Sequence, residues 1–458
     1  MTEQFDVICI GAGVAGEALA GGLKGAGLSM AFVERRLVGG ECPYWGCIPS
    51  KTLLRSAETL AEAGRARELA ASRVEWDVDF PKIARRTHWM ARDLDDTGAA
   101  KALEANGARL VRGEARLTGP RTVEVGGEVF EARRAVVIAT GTEPAIPPIP
   151  GLEGVDHWTN REAVMATELP ASLAVLGGGP IGVELGLAFA RFGTEVHIIE
   201  ALERLLPADE PEAGALLARY LDADGVRITT SARVTGVERG GRGIELTLST
   251  GERLSAERLL VATGRRPNLQ GFDLEAAGLS TTERGWLQVD PETLEAGDGV
   301  WGAGDVTGIG AFTHLSWYHG GIIARSLRGE GVRANHSAIP RVTFTDPEIA
   351  SVGLGEEQAR QRFAGVRTAS QDMGNTARGY IHGEPGGLIK LVADGERGVL
   401  VGATIVSPRA GEIISELSLA ILAEIPLRTM AELMHPFPAF ARGLQGMFSQ
   451  LLSPAGAP

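Results

Sequence analysis

Short apolar runs punctuate the chain, and several of them stop abruptly at glycine. The first, residues 7–10 (VICI), leads straight into Gly11-x-Gly13-x-x-Gly16. A stretch rich in Ala, Gly and Leu follows, then a second apolar run, residues 29–33 (SMAFV), that closes on Glu34. Unbroken apolar runs of this length read as strands buried on both faces, and the intervening stretch as a helix. The predicted order is therefore strand, glycine turn, helix, strand, with a carboxylate at the second strand's tip.

The same pattern returns later. Residues 173–176 (LAVL) lead into Gly177-x-Gly179-x-x-Gly182, a helical stretch follows, and residues 195–199 (EVHII) close on Glu200. In both copies the acid stands eighteen positions after the third glycine (16 to 34, 182 to 200). Such glycines allow a tight turn and the close approach of a pyrophosphate to a helix N-terminus, whose dipole favours the negative charge. The acid can accept hydrogen bonds from ribose hydroxyls. Two such units imply two dinucleotides, most simply a flavin and a nicotinamide. A carboxylate at Glu200 suits a free 2′-hydroxyl and repels a 2′-phosphate, so NADH is favoured over NADPH. Arg204, four positions on, would soften that preference.

Three further runs mark seams. Residues 136–141 (VVIATG) and 259–264 (LLVATG) each end a strand in a small-residue turn, and each would close its own nucleotide-binding unit. The proline-rich 144–150 reads as a linker. Residues 300–305 (VWGAGD) form a third strand-to-acid element, where the chain returns to its first domain.

Length and composition narrow the field. The 458 residues exceed one ordinary domain and suggest about three. A 44% hydrophobic and 22% charged composition is that of a soluble globular protein, and a net charge of −13 gives no footprint for nucleic acid or an anionic membrane. No apolar stretch approaches the ~18 residues of a membrane span, and the N-terminus lacks the basic region of a signal peptide, so a cytoplasmic location is expected. The eight His are scattered without ligand spacing, and no metal site is expected.

The three cysteines carry the candidate chemistry. Cys9 lies inside the first strand and reads as a buried core residue. Cys42 and Cys47 flank Pro43-Tyr-Trp-Gly46, too widely spaced for the usual zinc pair and without further ligands. On a regular helix they would point apart; Pro43 and Gly46 predict an irregular turn that brings them within reach of each other. A redox-active pair is expected, against a reading as two buried thiols.

The stretch GGECPYWGCIPSK, with VLGGGPIGVE, VATGRRPN, GAGDVTG, PRVTFTDPEIASVG and SPRAGEII, closely resembles the flavoprotein disulfide reductases, the family of dihydrolipoamide dehydrogenase and the glutathione, mycothione and mercuric reductases. The likeness covers nearly the whole chain. It implies an α/β fold with two Rossmann-like domains and a C-terminal α+β dimerisation domain: FAD in 1–145 and 270–335, NAD in 146–269, and an interface domain over 338–458. It implies that Cys42 is the thiol that meets substrate and Cys47 the thiol beside the flavin, with Lys51 near flavin N5 and paired with Glu184. Gly11, Gly13, Gly16, Glu34, Lys51, Ala115, Gly141 and Asp305 would hold FAD. Gly177, Gly179, Gly182, Glu200, Val234 and Gly264 would hold NAD. A homodimer is implied, each C-terminal tail reaching its partner's disulfide.

That tail breaks the pattern. Family members carry a motif like HPHPTxSE, whose second His, held by the closing Glu, moves protons to and from the thiols. Here the stretch reads HPFPAFAR, with Phe437 at the His position and Arg442 at the Glu position. Taking His435 as the base instead puts Phe440 at the Glu position. The disulfide loop differs too: Glu41 stands for the usual Thr and Tyr44 for the usual Asn. Tyr44 and His435 are the candidate substitute acids, His435 also having a structural reading. Reduction of the Cys42–Cys47 disulfide needs no such dyad, so the expectation is an oxidoreductase whose small acceptor, a disulfide or another electrophile, requires little acid catalysis. Two alternatives stand beside it: an enzyme like 2-ketopropyl-coenzyme M oxidoreductase/carboxylase, which also has Phe in place of the His, and a non-catalytic flavoprotein redox sensor.

Overall fold

A computed structural model describes residues 2–241, 243–383 and 386–453. Of the expected interface segment, residues 384, 385 and 454–458 lie outside the described residues. The chain divides into two compact units: Met1–Pro49, Arg85–Ala145 and Gly264–Asn335 in one, and Ser50–Ala84, Ile146–Thr263 and His336–Pro458 in the other.

The first unit is built on a sheet whose main path runs Glu295–Gly297, Val300–Gly302, Glu128–Ile138, Glu3–Ile10, Met30–Glu34, Ala108–Arg112. From Val300–Gly302 onward neighbouring strands are parallel. Parallel strands are covered on both faces, which explains their continuous apolar character. Val7, Cys9, Phe32, Ala135 and Val137 face one core, packed under Leu19, Ile322 and Ile323. Ile8, Ile10, Val33, Val136 and Ile138 face the other. Cys9 is wholly buried, its thiol donating to Gly11 O at 3.3 Å, and burial pushes its pKa well up. It is core.

Among the described residues the second unit carries three sheets. A four-stranded parallel sheet runs Arg227–Thr229, Glu195–Ile199, Ser172–Leu176, Arg258–Val261, with an antiparallel sheet of Val234–Gly240, Gly243–Leu248 and Arg253–Ala256. A five-stranded antiparallel sheet runs Pro340–Thr343, Glu348–Gly353, Val399–Ser407, Leu388–Asp394, Val366–Gln371. Its core joins Ala350, Ile389 and Ile405 to Ile414 and Leu417 of the helix Ala410–Leu422, and to Phe440, Leu444 and Phe448 of the tail. The fold is α/β, with two Rossmann-like sheets and a C-terminal antiparallel one. Among the described residues no helix is long and apolar enough to cross a membrane.

Candidate redox site

Both glycine loops have the same internal geometry. Gly11 and Gly177 hold φ at +104° and +111°, and a Cβ there would strike Ala139 O at 2.3 Å and Ala262 O at 2.4 Å. Only glycine fits. The helices Val14–Leu23 and Pro180–Phe192 begin at N-cap Gly13 and Gly179, and no side chain caps either start. A Cβ at Gly13 would meet nothing nearer than Gly40 Cα at 3.5 Å, and one at Gly179 nothing within 4 Å. Open cradles ending at uncapped N–H groups fit dinucleotide phosphates.

The acids have a role that their position alone does not reveal. Glu34 Oε2 accepts from Ala12 N at 2.9 Å and its Oε1 from Arg36 N at 2.7 Å. Glu200 repeats the arrangement, with Gly178 N at 2.6 Å and Leu202 N at 2.8 Å. Each carboxylate thus staples its own glycine loop to its strand end, and keeps lone pairs for a ribose.

The two redox cysteines sit on either side of a helix break. Cys42 is in the short helix Glu41–Tyr44, Trp45 and Gly46 interrupt it, and Cys47 is the first residue of the helix Cys47–Leu69. Gly46 makes the break possible: a Cβ there would lie 3.1 Å from Cys42 Cα and 3.2 Å from Glu41 O. The thiols are unlinked and within hydrogen-bonding reach of each other. Cys42 is pushed far up, first by its hydrogen bond to Cys47, then by burial and by charge on Cys47, with the Thr313 hydroxyl opposing. Thr313 Oγ1 is 3.2 Å from Cys47 Sγ.

Glu41, the departure from the family's Thr, is used in an ion pair with Arg265. Arg265 Nε also donates to Thr142 Oγ1 at 2.6 Å, and Thr142 Oγ1 donates to Asp305 Oδ2 at 2.8 Å. Burial raises the Asp305 carboxyl, and the Thr142 hydrogen bond and Arg265 oppose that. The Asp305 turn is held by His319, wholly buried, whose Nδ1 accepts from Gly304 N at 3.1 Å. Gly141, at φ +65°, accepts from Asn268 N through its carbonyl, and Ala115 opens the strand Ala115–Gly119.

In the second unit Lys51 Nζ is 2.6 Å from Glu184 Oε2 and lies over the Phe344 ring at 4.8 Å. Glu184 Oε1 accepts from Phe344 N at 2.8 Å, so the pair expected from the motif forms. Val234 opens the strand Val234–Gly240. Gly264 belongs to the first unit, where its carbonyl accepts from Ala145 N.

Both candidate substitute acids already have partners. The Tyr44 ring is wholly buried, its hydroxyl donates to Val38 O at 2.9 Å, and burial raises its pKa. Tyr44, expected as a candidate substitute acid, lies in the core with its hydroxyl already engaged. The His435 side chain is 4% exposed, its Nε2 3.1 Å and 3.2 Å from the Glu416 oxygens and its Nδ1 without a partner. Phe437 is 73% exposed and borders a cavity of about 160 Å³ lined by Thr376, Arg378 and Arg442. Sequence reasoning missed Thr313, His319 and Arg265; of these only Arg265 stands in a recognised motif.

Residues 5–320 match the pyridine nucleotide-disulphide oxidoreductase family, and residues 339–448 match that family's dimerisation domain. A dihydrolipoyl dehydrogenase of Thermus scotoductus is 35% identical over 451 residues, covering 96% of each chain. A mercuric reductase of Bacillus cereus is 33% identical over 448 residues, 96% of this chain and 70% of that one. Among solved structures, the HOCl-induced flavoprotein disulfide reductase RclA of Escherichia coli superposes with a TM-score of 0.85 at 28% identity, covering 97% of this chain and 99% of that one. With its glycine loops, its dithiol and its C-terminal sheet in place, the chain is a member of the pyridine nucleotide-disulphide oxidoreductases, whose members use FAD and a nicotinamide.

Proposed function

We propose that this protein passes electrons from NADH through FAD to the Cys42–Cys47 disulfide, and from the resulting dithiol to a small disulfide or other electrophile. The observation that carries the reading is the meeting of Cys42 and Cys47 across a helix break. FAD, bound by Gly11, Gly13, Gly16, Glu34, Lys51, Ala115, Gly141 and Asp305, supplies the two-electron carrier between nicotinamide and thiols. Gly177, Gly179, Gly182, Glu200, Val234 and Gly264 receive the nicotinamide, with Glu200 favouring NADH.

The dithiol delivers its electrons when one sulfur attacks the acceptor and the other displaces it, re-forming the disulfide. A leaving thiolate normally gains ~10²–10⁴-fold from a positioned acid. Phe437 has no proton to give, Tyr44 is committed to Val38, and His435 is pinned to Glu416. Acceptors that need little acid catalysis therefore suit the site best: soft metal ions, quinones and activated disulfides. The working form is a homodimer built on residues 339–448.

The test is an anaerobic titration of the FAD-loaded protein with NADH, recorded over the full visible spectrum. A long-wavelength thiolate-to-flavin band that disappears in Cys47→Ser is expected. Bleaching after one equivalent, without that band, would remove the thiols from the reaction.

A further inference from the structure

We infer that the cavity beside Phe437 is an anion subsite, in which Arg378 and Arg442 bind the carboxylate of a negatively charged acceptor. The inference names a substrate class for the reading proposed above and rests on that reading for its link to turnover. The binding site itself stands on geometry and charge.

The cavity lies within the C-terminal segment of the second unit. Its lining comes from Gln371, at the end of the strand Val366–Gln371, from Thr376 and the short helix Ala377–His382, and from residues 437–443 of the tail. At about 160 Å³ it is smaller than the ~300–1,000 Å³ of a pocket for a drug-sized molecule, so it takes one group of a ligand.

Two guanidiniums line this space, and among the described residues neither has a carboxylate partner. Arg378 lies over the buried Phe440 ring at 5.6 Å, which braces the cation and leaves its N–H donors unspent. The acid next to Gln371 is otherwise engaged: Asp372 Oδ1 accepts from Gly374 N at 2.9 Å and its Oδ2 from Asn375 Nδ2 at 3.5 Å. The Thr376 hydroxyl is also spent, donating to Met373 O at 2.7 Å and accepting from Gly379 N at 3.1 Å. In the sequence no acidic side chain follows Glu432, although the chain as a whole carries a net charge of −13. Two like charges sharing one cavity repel each other, and an anion between them turns that repulsion into attraction.

The lining also selects among anions. A planar guanidinium fork matches a carboxylate in bidentate fashion. Phe437, Pro438 and Ala439 add an apolar surface beside the two cations, which suits an organic carboxylate and gives an inorganic anion nothing to cover. Phe437 is also the residue standing where the family motif has its proton-moving His, so a group seated here lies at the position from which that motif serves the thiols.

The test begins with equilibrium binding to the oxidised, FAD-loaded protein, measured by calorimetry with benzoate and, separately, inorganic phosphate. Benzoate should bind more tightly than phosphate. Its affinity should fall about fivefold in Arg378→Gln and in Arg442→Gln, the scale of a solvent-screened ion pair, and Arg442→Lys should recover part of the loss. Turnover with NADH then compares two activated disulfides, the carboxylate-bearing dithiobis(nitrobenzoate) and the uncharged dithiodipyridine. KM for the first should rise in both Gln variants with kcat held, and KM for the second should not move. Failure of benzoate to bind, phosphate binding as tightly as benzoate, or an equal rise in KM for both disulfides overturns the inference. So do folded Gln variants that sediment as monomers, because the two arginines would then serve a partner subunit's acids. Benzoate binding that the Gln variants lose, in a protein that reduces neither disulfide, upholds the anion site and overturns the proposed electron path instead.

Discussion

His435 is joined to Glu416, with Nε2 3.1 Å from the nearer carboxylate oxygen. The contact ties the C-terminal tail to the helix Ala410–Leu422, which forms part of the core of the antiparallel sheet. His435→Ala is therefore expected to lower stability by about 1–3 kcal/mol, as loss of a buried hydrogen-bonded partner does, and to leave the pH profile of turnover unchanged. Denaturant melts beside a pH–rate profile check this; loss of one ionisation from the profile at unaltered stability would make His435 the acid after all.

Gly46 sets the distance between the thiols. Gly46→Ala would place a methyl 3.1 Å from Cys42 Cα, tighter than side chains normally tolerate. The expected cost is about 1–3 kcal/mol of strain, seen as slower disulfide closure in a thiol-counting time course. Closure at the wild-type rate would show that the break has room to spare.

Glu200 holds its loop through Gly178 N and Leu202 N, and in the proposed reading it would also face the ribose of a bound nicotinamide. Glu200→Gln retains an acceptor and removes the charge. The ratio of kcat/KM for NADH over NADPH should fall about tenfold, the scale of one charge-assisted hydrogen bond. An unmoved ratio places the discrimination elsewhere, with Arg204 the next residue to vary.

Asp6 is held at a pKa of about 2, first by the Ser29 backbone N–H, then by the Ser29 hydroxyl, with Arg133 adding to both. Because the folded value lies below the ordinary 3.8, its contribution is complete above pH 4 and disappears as pH falls towards 2. With Arg133 half exposed, the contribution is of order 1 kcal/mol. Asp6→Asn should flatten the fall in stability across that window; an unchanged slope would assign the acid sensitivity to other carboxylates.

The glycine loops, their acids and the cysteine turn were legible because each is a local pattern. The turn shape, the helix start and the hydrogen-bonding groups lie within a few tens of residues of one another. Lys51 and Glu184 were legible only through the family motifs that contain them. Thr313 was not legible at all: 266 positions separate it from Cys47, and a lone threonine before His314 carries no periodic signal. The same holds for Glu416 beneath His435, nineteen positions upstream on a helix whose apolar face says nothing of its polar one. Tyr44 misled for a related reason. Beside a reactive cysteine its ring suggests chemistry, and only the packing reveals the hydroxyl's partner at Val38.

A reduced pair that keeps one thiolate beside a flavin, as the proposed charge-transfer band requires, has an electrochemical consequence. A pair that takes up two electrons and one proton shifts its potential by about 30 mV per pH unit, half the slope of a pair that takes up two protons. The nicotinamide couple also exchanges two electrons and one proton. The two potentials then run parallel, and the drive from nicotinamide to thiols stays level while the pH of the surroundings drifts. Acceptors that bind two protons move against that level line, becoming easier targets in acid and harder ones in alkali, so it is the choice of acceptor, and not the enzyme's own charging step, that the pH would govern.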